Sequence, residues 1–256
     1  MKHLKKVILA ILATLFWLAV WEIGANRVGN TLLFPTPRIV LETLWKLLGD
    51  PMFYRVTANS LNNILSGILQ AMLLGILLAV LSAKLPPIRT LLLPIMTVIK
   101  ATPVASFIVL LLIFIGSAKV PMIITFLIVL PVVWTNLDEG LRKKDRQLEE
   151  VATVYRMSRW RKIRFLTLPI VRPFFLSACR TSLGLAWKAG IAAEIIALPR
   201  RSIGTMISSA KQYLNTEEMF AWTLAVVILS LLIEVGFVSL WRRLEKRGTG
   251  KEDLTC

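Results

Sequence analysis

Six long hydrophobic segments, separated by polar or basic stretches, follow one another along this chain of 256 residues. A helix needs about 20 apolar residues to cross a bilayer, and each segment is about that long. The pattern predicts an all-α integral membrane protein with six transmembrane helices, which together form one polytopic domain over residues 1–256. The predicted spans are 7–25, 60–83, 91–115, 120–137, 173–199 and 219–241.

Lysine and arginine fall unevenly between the segments that connect these spans. A cytoplasmic N-terminus would place residues 1–6, 83–90, 138–172 and the tail after Trp241 inside, and these hold 20 of the 31 basic residues. The opposite loops hold eight. This excess is the positive-inside signature, so the N-terminus is predicted to be cytoplasmic in a bacterial-type plasma (inner) membrane. The formal net charge of +16 then reflects topology, and no nucleic acid is expected as a partner.

The first span follows the basic start MKHLKK, which is also how a cleavable signal peptide begins. Its apolar run is longer than the usual signal-peptide core, so we predict a retained anchor, with cleavage after Ala25 as the alternative. The predicted external loop, 26–59, holds an amphipathic helix that Thr36 or Pro37 opens. A basic cytoplasmic tail is predicted over 242–256.

Small residues and prolines predict how the spans pack and bend. Small side chains at four-residue spacing let helices approach closely in lipid, either within the chain or against a second copy. Prolines within spans remove a backbone donor and predict bends. The small residues are Gly67, Ala71, Gly75, Ala79 and Ala83 in the second span and Ala178, Ser182, Ala186 and Gly190 in the fifth; the prolines are Pro94 and Pro103 in the third and Pro131 in the fourth.

No catalytic constellation occurs along the chain. His3 is the only histidine, Cys179 and Cys256 are not at metal-ligand spacing, and there is no Walker phosphate loop. We therefore predict no metal, no cofactor and no enzyme activity, so that any energy comes from an ion gradient or another subunit. An integral-membrane enzyme and a self-sufficient carrier are the alternatives. Both are disfavoured, because paired catalytic groups, midplane coupling carboxylates and internal repeats are missing.

Charged residues inside the predicted spans are candidates for a substrate pathway. Burying a charge at the centre of a membrane costs roughly 2.5–3.5 kcal/mol on insertion scales, so such residues should face the bundle interior or a water-filled cavity. A cavity lined by cations would favour a small anion. The alternatives are a buried ion pair with Glu194 or Glu234, or snorkelling of the arginine to the interface. The candidates are Lys100, Arg180, Lys188 and Glu194.

The stretch from Glu149 to Pro169 is too polar to enter a bilayer and is predicted to form two short helices on its cytoplasmic surface. The first has an apolar face, and Ser158 is placed to cap the second, which Pro169 would end. The second helix would put Trp160, Ile163 and Leu166 at the interface. Its four cations would face anionic lipid or a partner, and a plain inner-leaflet amphipathic helix is the alternative. The apolar face comprises Leu148, Val151, Ala152 and Tyr155; the cations are Arg159, Arg161, Lys162 and Arg164.

This stretch resembles the EAA loop of the permease subunits of binding-protein-dependent ATP-binding-cassette (ABC) importers. The resemblance rests on Glu150-Val151-Ala152, Ser158, Ile163 and Leu168-Pro169. Residues of about 60–241 are similar to the five-helix core of the type I importer fold. The segments LLFPTPRIV, IKATPVASFIVLLLIFIG and LGLAWKAGIAAEII are similar to the branch that handles sulfonates, taurine and nitrate. One departure is Arg156, which stands where the family's loop has glycine. It either adopts a left-handed backbone or shifts the turn toward Met157-Ser158.

The resemblance implies a transport subunit and its partners. They would be a second permease copy in a homodimer, two cytoplasmic ABC ATPase subunits, an external solute-binding protein at the outer loops, and membrane lipid. The solute would be small and, by the charge argument, anionic, with a neutral or heterocyclic vitamin precursor as the alternative. The coupling loop, 138–170, would dock on the ATPase and end at Leu168 and Pro169. Its docking residues would be Glu150, Val151, Ala152, Tyr155, Arg156 and Ser158.

Overall fold

The computed structural model describes residues 2–143 and 146–249, and every regular element in them is helical. Lys144 and Asp145 of the predicted coupling loop lie outside the described residues. Residues 250–256 of the predicted tail, which include Cys256, and the side chain of His3 also lie outside them. The helices are α1 (Lys2–Val28), α2 (Pro37–Leu48), α3 (Pro51–Lys84), α4 (Pro86–Ala101), α5 (Val104–Ile115), α6 (Val120–Arg142), α7 (Arg146–Val154), α8 (Arg159–Lys162), a π-helix (Ile163–Thr167), α9 (Leu168–Ala197), α10 (Ile203–Gln212) and α11 (Thr216–Thr249).

Four of the described helices, α1, α3, α6 and α11, are long and apolar enough to cross a membrane. A fifth span is added if α4 and α5 together form one crossing. The predicted fifth span, 173–199, falls on α9, which has the necessary length but carries Arg172, Arg180, Lys188 and Glu194. The all-helical membrane fold is confirmed, and the count of six spans stays a prediction.

The predicted third span is broken at a proline. Helices α4 and α5 meet at an angle of 100°. The break falls at Thr102 and Pro103, both of which have extended backbones. A residue before proline is pushed out of the helical region, and proline itself offers no donor to continue the helix. Pro94 and Pro131, in contrast, lie inside α4 and α6 without ending them.

Helix α3 begins at Pro51, so residues 51–59 of the predicted external loop are helical and continuous with the predicted second span. The amphipathic helix within the loop is confirmed as α2. Thr36 caps it, with its hydroxyl oxygen accepting from the backbone N–H of Ile39 at 3.5 Å, and Pro37 occupies the first turn. Val40 and Leu44 are buried on its inner face.

The chain divides into two compact units, residues 1–59 with 200–229, and residues 60–199 with 230–256. Each unit draws on distant parts of the sequence, and the single domain over 1–256 stays a prediction. Aromatic packing dominates the first unit, where the rings of Phe53 and Trp222 stack with centroids 5.0 Å apart. The indole N–H of Trp21 donates to the carbonyl oxygen of Pro35 at 3.1 Å.

The second unit is built on close contacts between α3, α6 and α9. A side chain at Gly67 would overlap the backbone of Met122 on α6, and one at Gly190 would overlap Ile64 on α3. Ala71, Ala79, Ala178, Ser182 and Ala186 are completely buried, while Ala83 at the end of its stripe is exposed. The stripes of small residues are therefore packing faces within the chain, which was one of the two possibilities that their spacing left open.

Candidate translocation cavity and coupling segment

A cavity of about 440 Å³ opens in the second unit between the α4–α5 break, α6 and α9. Its wall is mostly apolar, and it includes both lysines that were predicted to line a pathway, Lys100 and Lys188. They lie 88 positions apart in sequence, which gives no hint of this proximity. The break at Thr102 and Pro103 leaves Lys100 at the last turn of α4, beside the cavity. The lining residues are Ile99, Lys100, Thr102, Val104, Leu127, Ile128, Pro131, Val132, Leu185, Lys188, Ala189 and Ala192.

Lys100 is held by a short polar chain on α6. Its ammonium donates to the hydroxyl oxygen of Thr135 at 2.8 Å, and that hydroxyl donates to the carbonyl oxygen of Pro131 at 2.7 Å. An ammonium has three N–H donors, and Thr135 takes one of them. Thr135 and Thr102 were not predicted to be part of the site, because a threonine within an apolar segment carries no signal of its own.

Lys188 forms no ion pair with any residue in the described part of the chain. The alternative of a buried pair between Lys188 and Glu194 is therefore wrong. The two residues lie six positions apart, about 120° around α9, so that they leave opposite sides of the helix. Lys188 is exposed at the cavity, while Glu194 is fully buried and accepts a hydrogen bond from the Ser60 hydroxyl at 2.8 Å.

Two of the four pathway candidates thus lie away from the cavity. Glu194 is enclosed between α3 and α9, and Arg180 lies on the exposed side of α9, two turns before Lys188. Gly184, between Arg180 and Lys188, has open space around it. Arg180 likewise forms no ion pair with a described residue, so a pair with Glu194 or Glu234 is not present for it either.

A buried acid at the end of α6 was not predicted. Asp138 is 4% exposed, and one of its carboxylate oxygens lies 2.9 Å from Nε of Arg89 on α4 and 3.1 Å from Nε of Arg142. The pairing of Asp138 with Arg142 has the i,i+4 spacing that a sequence reveals. The link to Arg89 is 49 positions away and needs the fold. This cluster fastens the start of α4 to the end of α6, where the predicted coupling loop begins.

The coupling segment is residues 146–170, the part of the predicted coupling loop from α7 onward. Its first helix, α7, turns most of the predicted apolar face outward. Ala152 is buried, whereas Leu148, Val151 and Tyr155 are exposed. Val154, which the sequence analysis did not single out, is exposed as well. Glu150 is also exposed on this helix. The surface combines one carboxylate with aliphatic and aromatic groups, which suits docking to another protein.

Arg156 adopts a left-handed backbone with φ +48°. Its N–H donates to the carbonyl oxygen of Thr153 at 3.0 Å, and the N–H of Met157 donates to that of Ala152 at 2.9 Å. These two hydrogen bonds form a Schellman motif, in which the left-handed residue is usually glycine. Of the two predicted outcomes, a left-handed Arg156 or a turn shifted toward Met157-Ser158, the chain therefore adopts the first. For a residue with a side chain the left-handed region costs roughly 1–2 kcal/mol.

The second short helix begins as predicted but does not end as predicted. Ser158 caps α8, with its hydroxyl oxygen accepting from the N–H of Arg161 at 3.4 Å. The helix then continues through the π-helix directly into α9. Pro169 does not terminate it, because Pro169 occupies the first turn of α9, where the missing N–H costs little. The Lys162 ammonium donates to the Thr153 hydroxyl at 3.1 Å and joins the two short helices.

Comparison with known proteins decides the family. A family of proteins described as "Binding-protein-dependent transport system inner membrane component" matches residues 71–249. This chain belongs to that family. The match includes the cavity, the coupling segment and most of the second unit, and it confirms the predicted importer permease in the inner membrane.

Relatives of known role support the same assignment. The taurine transport system permease protein TauC of Escherichia coli (strain K12) is 30% identical over 243 residues, which cover 92% of this chain and 86% of that protein. The riboflavin transport system permease protein RibX of Chloroflexus aurantiacus is 30% identical over 229 residues, which cover 86% and 84%. Because these relatives are transport permeases, the prediction of a transport subunit that is not itself an enzyme is confirmed.

A solved structure shares the fold. The crystal structure of a bacterial alginate ABC transporter, in complex with an alginate pentasaccharide-bound periplasmic protein, superimposes with a TM-score of 0.64 at 16% identity. The superposition covers 95% of this chain and 97% of that one. The similarity confirms the type of fold, and family membership makes an external binding protein and an ABC transporter complex the setting in which this permease acts.

Proposed function

We propose that this permease pairs with a second copy of itself and carries a small organic solute with an anionic headgroup, such as taurine or another sulfonate, into the cell. The observation that supports the solute class in this proposal is the cavity lined by Lys100 and Lys188. Two ammonium groups on an otherwise apolar wall suit a solute with one anionic group and a short carbon chain. A volume of about 440 Å³ lies within the range of small-molecule sites.

The absence of internal ion pairs at these lysines supports an anionic cargo. Lys188 has no carboxylate partner among the described residues, and Lys100 donates to a neutral hydroxyl. An ammonium in a partly apolar environment attracts an anion more strongly than one in water, because fewer water molecules screen its charge. A passing anion would supply that counter-charge, and weak binding at two points would let it leave again.

The driving force would come from two ATPase subunits that dock on the coupling segment. The contact would be formed by Glu150, Val151 and Ala152 on α7 and by Tyr155, Arg156 and Ser158 in the turn that follows. Exposed Val151 and Tyr155 are the apolar part of this surface, and Leu168 and Pro169 lead from it into α9. Movement of α7 would reach the cavity through α9, which carries Lys188.

The orientation of the complex follows the charge distribution. A cytoplasmic N-terminus would place the coupling segment inside and residues 26–59 and 200–218 outside, where the binding protein would deliver the solute. Lipid would surround the exposed apolar side chains of α1, such as Leu9, Phe16 and Trp17.

Uptake by the reconstituted importer tests the proposal. The permease, its ATPase and its binding protein would be placed in vesicles and supplied with ATP and labelled taurine. Lys188→Met should reduce uptake at least about tenfold, since loss of a charge-assisted contact is worth roughly 1.5–3 kcal/mol. Lys84→Met is the matched control, because Lys84 is exposed at the end of α3 and does not line the cavity. Uptake that is unchanged in Lys188→Met would contradict an anionic pathway.

A neutral or heterocyclic solute is the second candidate, favoured by the similarity to RibX over most of the chain. The apolar wall of the cavity would then make the main contacts. In that case Lys188→Met would leave uptake intact, while a bulky substitution of Ala189 or Ala192 on the same wall would block it.

A further inference from the structure

The second half of the coupling segment differs from the first in its chemistry. No acidic residue occurs between Glu150 and Glu194, while six cations occur from Arg156 to Arg172. Arg159, Arg161 and Arg164 are exposed on α8 and the π-helix. In the described part of the chain no carboxylate pairs with any of these three arginines. These three arginines therefore present positive charge that no carboxylate in the described chain compensates.

Large apolar side chains lie among these cations. Trp160 is 71% exposed, Phe165 is 58% exposed, and Ile163 and Leu168 are exposed as well. The Arg164 guanidinium rests 5.8 Å from the centroid of the Phe165 ring. Tryptophan and phenylalanine beside arginine on one short helical stretch is the composition of a segment that lies in a membrane interface. The helix α7, in contrast, combines exposed aliphatic groups with Glu150.

The π-helix explains why the apolar groups point outward here. A regular helix would have placed Leu166 with Trp160 and Ile163 on the outer side, as the sequence predicted. The wider turn at Ile163–Thr167 changes the register, so that Leu166 is half-buried and Phe165 and Leu168 are exposed. The stretch runs without a break into α9. It therefore lies next to the beginning of the predicted fifth span, where that span would enter the membrane.

We propose that the surface formed by Arg159, Trp160, Arg161, Arg164, Phe165 and Leu168 binds anionic phospholipid headgroups of the cytoplasmic leaflet. The guanidinium groups pair with lipid phosphates, and the aromatic and aliphatic groups enter the boundary between headgroups and acyl chains. The permease surface is thereby divided, with α7 facing the ATPase and the stretch after Ser158 facing the membrane. The cytoplasmic orientation in this proposal rests on the proposed function.

Charge complementarity favours lipid over a second protein as the occupant. Each basic residue near an anionic leaflet contributes about 1 kcal/mol, which corresponds to roughly a fivefold change in binding. A protein partner would need a dedicated acidic patch that also accommodates Trp160 and Phe165. The leaflet supplies both the charge and the apolar layer at the depth where α9 begins.

Hydrogen–deuterium exchange of the peptide covering 156–168 provides a local test. The intact permease, without ATPase, would be placed in nanodiscs of phosphatidylcholine alone or with phosphatidylglycerol added. Phosphatidylglycerol should slow exchange in this peptide by about fivefold or more, because a single basic residue near an anionic leaflet already strengthens binding by about that factor. The triple variant Arg159→Gln, Arg161→Gln, Arg164→Gln should lose this difference, and the corresponding triple lysine variant should retain it. A triple variant Arg55→Gln, Arg200→Gln, Lys211→Gln is the matched control for net charge and should also retain it.

Two results would overturn the proposal. One is equal exchange of the wild-type peptide in both lipids. The other is protection that appears only when the ATPase is added, which would assign the surface to a protein. If the glutamine variant does not fold, the wild-type permease in ~0.5 M salt provides the same test. The Debye length is then only a few ångströms, so the slowing of exchange by phosphatidylglycerol must become smaller. Failure of this test leaves taurine uptake unaffected, so it is distinguishable from failure of the proposed function.

Discussion

The two buried acids of the second unit and the two lysines of its cavity differ in where their partners lie. Asp138 is enclosed by Arg89 and Arg142, and buried Glu194 takes a hydrogen bond from Ser60. Lys188 has no ionic partner in the described chain, and Lys100 has a neutral one. Asp138 is therefore satisfied inside the protein, and Glu194 is satisfied there through the oxygen that Ser60 contacts, while its other oxygen has no hydrogen-bond partner among the described residues. The cavity lysines are satisfied only in part, which leaves them to a ligand.

The largest expected effect on stability is at Asp138. Asp138→Ala leaves Arg89 and Arg142 facing each other without their shared carboxylate. Breaking a buried ion pair by removing one partner costs roughly 3–5 kcal/mol, and partial exposure of both arginines reduces this to about 2–3 kcal/mol. Thermal unfolding of the purified permease in detergent would measure the loss as a lower midpoint.

Glu139→Gln provides the control for Asp138→Ala. Glu139 is the neighbouring acid, and it pairs with Lys143 in an exposed i,i+4 bridge at 2.9 Å. Its loss should cost less than about 1 kcal/mol. Equal midpoints for Asp138→Ala and Glu139→Gln would show that burial does not distinguish the two acids.

A smaller effect is expected at Glu194. Glu194→Ala removes a fully buried side chain and the acceptor of Ser60, so it should destabilise the permease by about 1–3 kcal/mol. Glu194→Gln retains the shape and an acceptor, and should leave both the unfolding midpoint and uptake close to the wild type. Normal stability combined with lost uptake in Glu194→Gln would instead place this carboxyl on the pathway, as the sequence analysis suggested.

Those parts of the site that depend on near neighbours in sequence were predictable. Ser158 was recognised as a cap, and Thr36 or Pro37 as the start of α2, because such signals act within a few residues of the helix end. The small residues of α3 and α9 were recognised by their four-residue spacing. Replacement of the loop glycine also limited the turn at Arg156 to two outcomes, one of which the chain adopts.

The features that depend on distant neighbours were not predictable. Nothing near Asp138 in sequence identifies Arg89, and nothing near Lys188 indicates that it shares a cavity with Lys100. The continuation of the helix through Pro169 was missed because proline usually ends a helix, except in the first turn of a new one. The π-helix at Ile163–Thr167 has no composition that sets it apart from an ordinary helix.

Arg156 is a cation whose cost lies in its own backbone, because it adopts the left-handed conformation that favours glycine. Arg156→Gly should stabilise the turn by up to about 1 kcal/mol, because glycine adopts φ +48° without the steric cost that a side chain carries. If the arginine side chain serves the ATPase contact, the same variant should reduce ATP-driven uptake while raising the unfolding midpoint. A midpoint that does not rise would mean that the left-handed turn is not strained.

The smallest effect on stability is expected at Lys188, and this makes it the sharpest test of the comparison. Lys188→Met removes no ion pair with a described residue and leaves an apolar chain of similar length against Leu185 and Ala189, so the unfolding midpoint should move by no more than the equivalent of about 0.5 kcal/mol. The loss should appear in uptake alone, where the proposed anion would no longer meet its counter-charge. A large fall in the midpoint would show that Lys188 stabilises the fold, and the division between internal acids and ligand-facing cations would then fail.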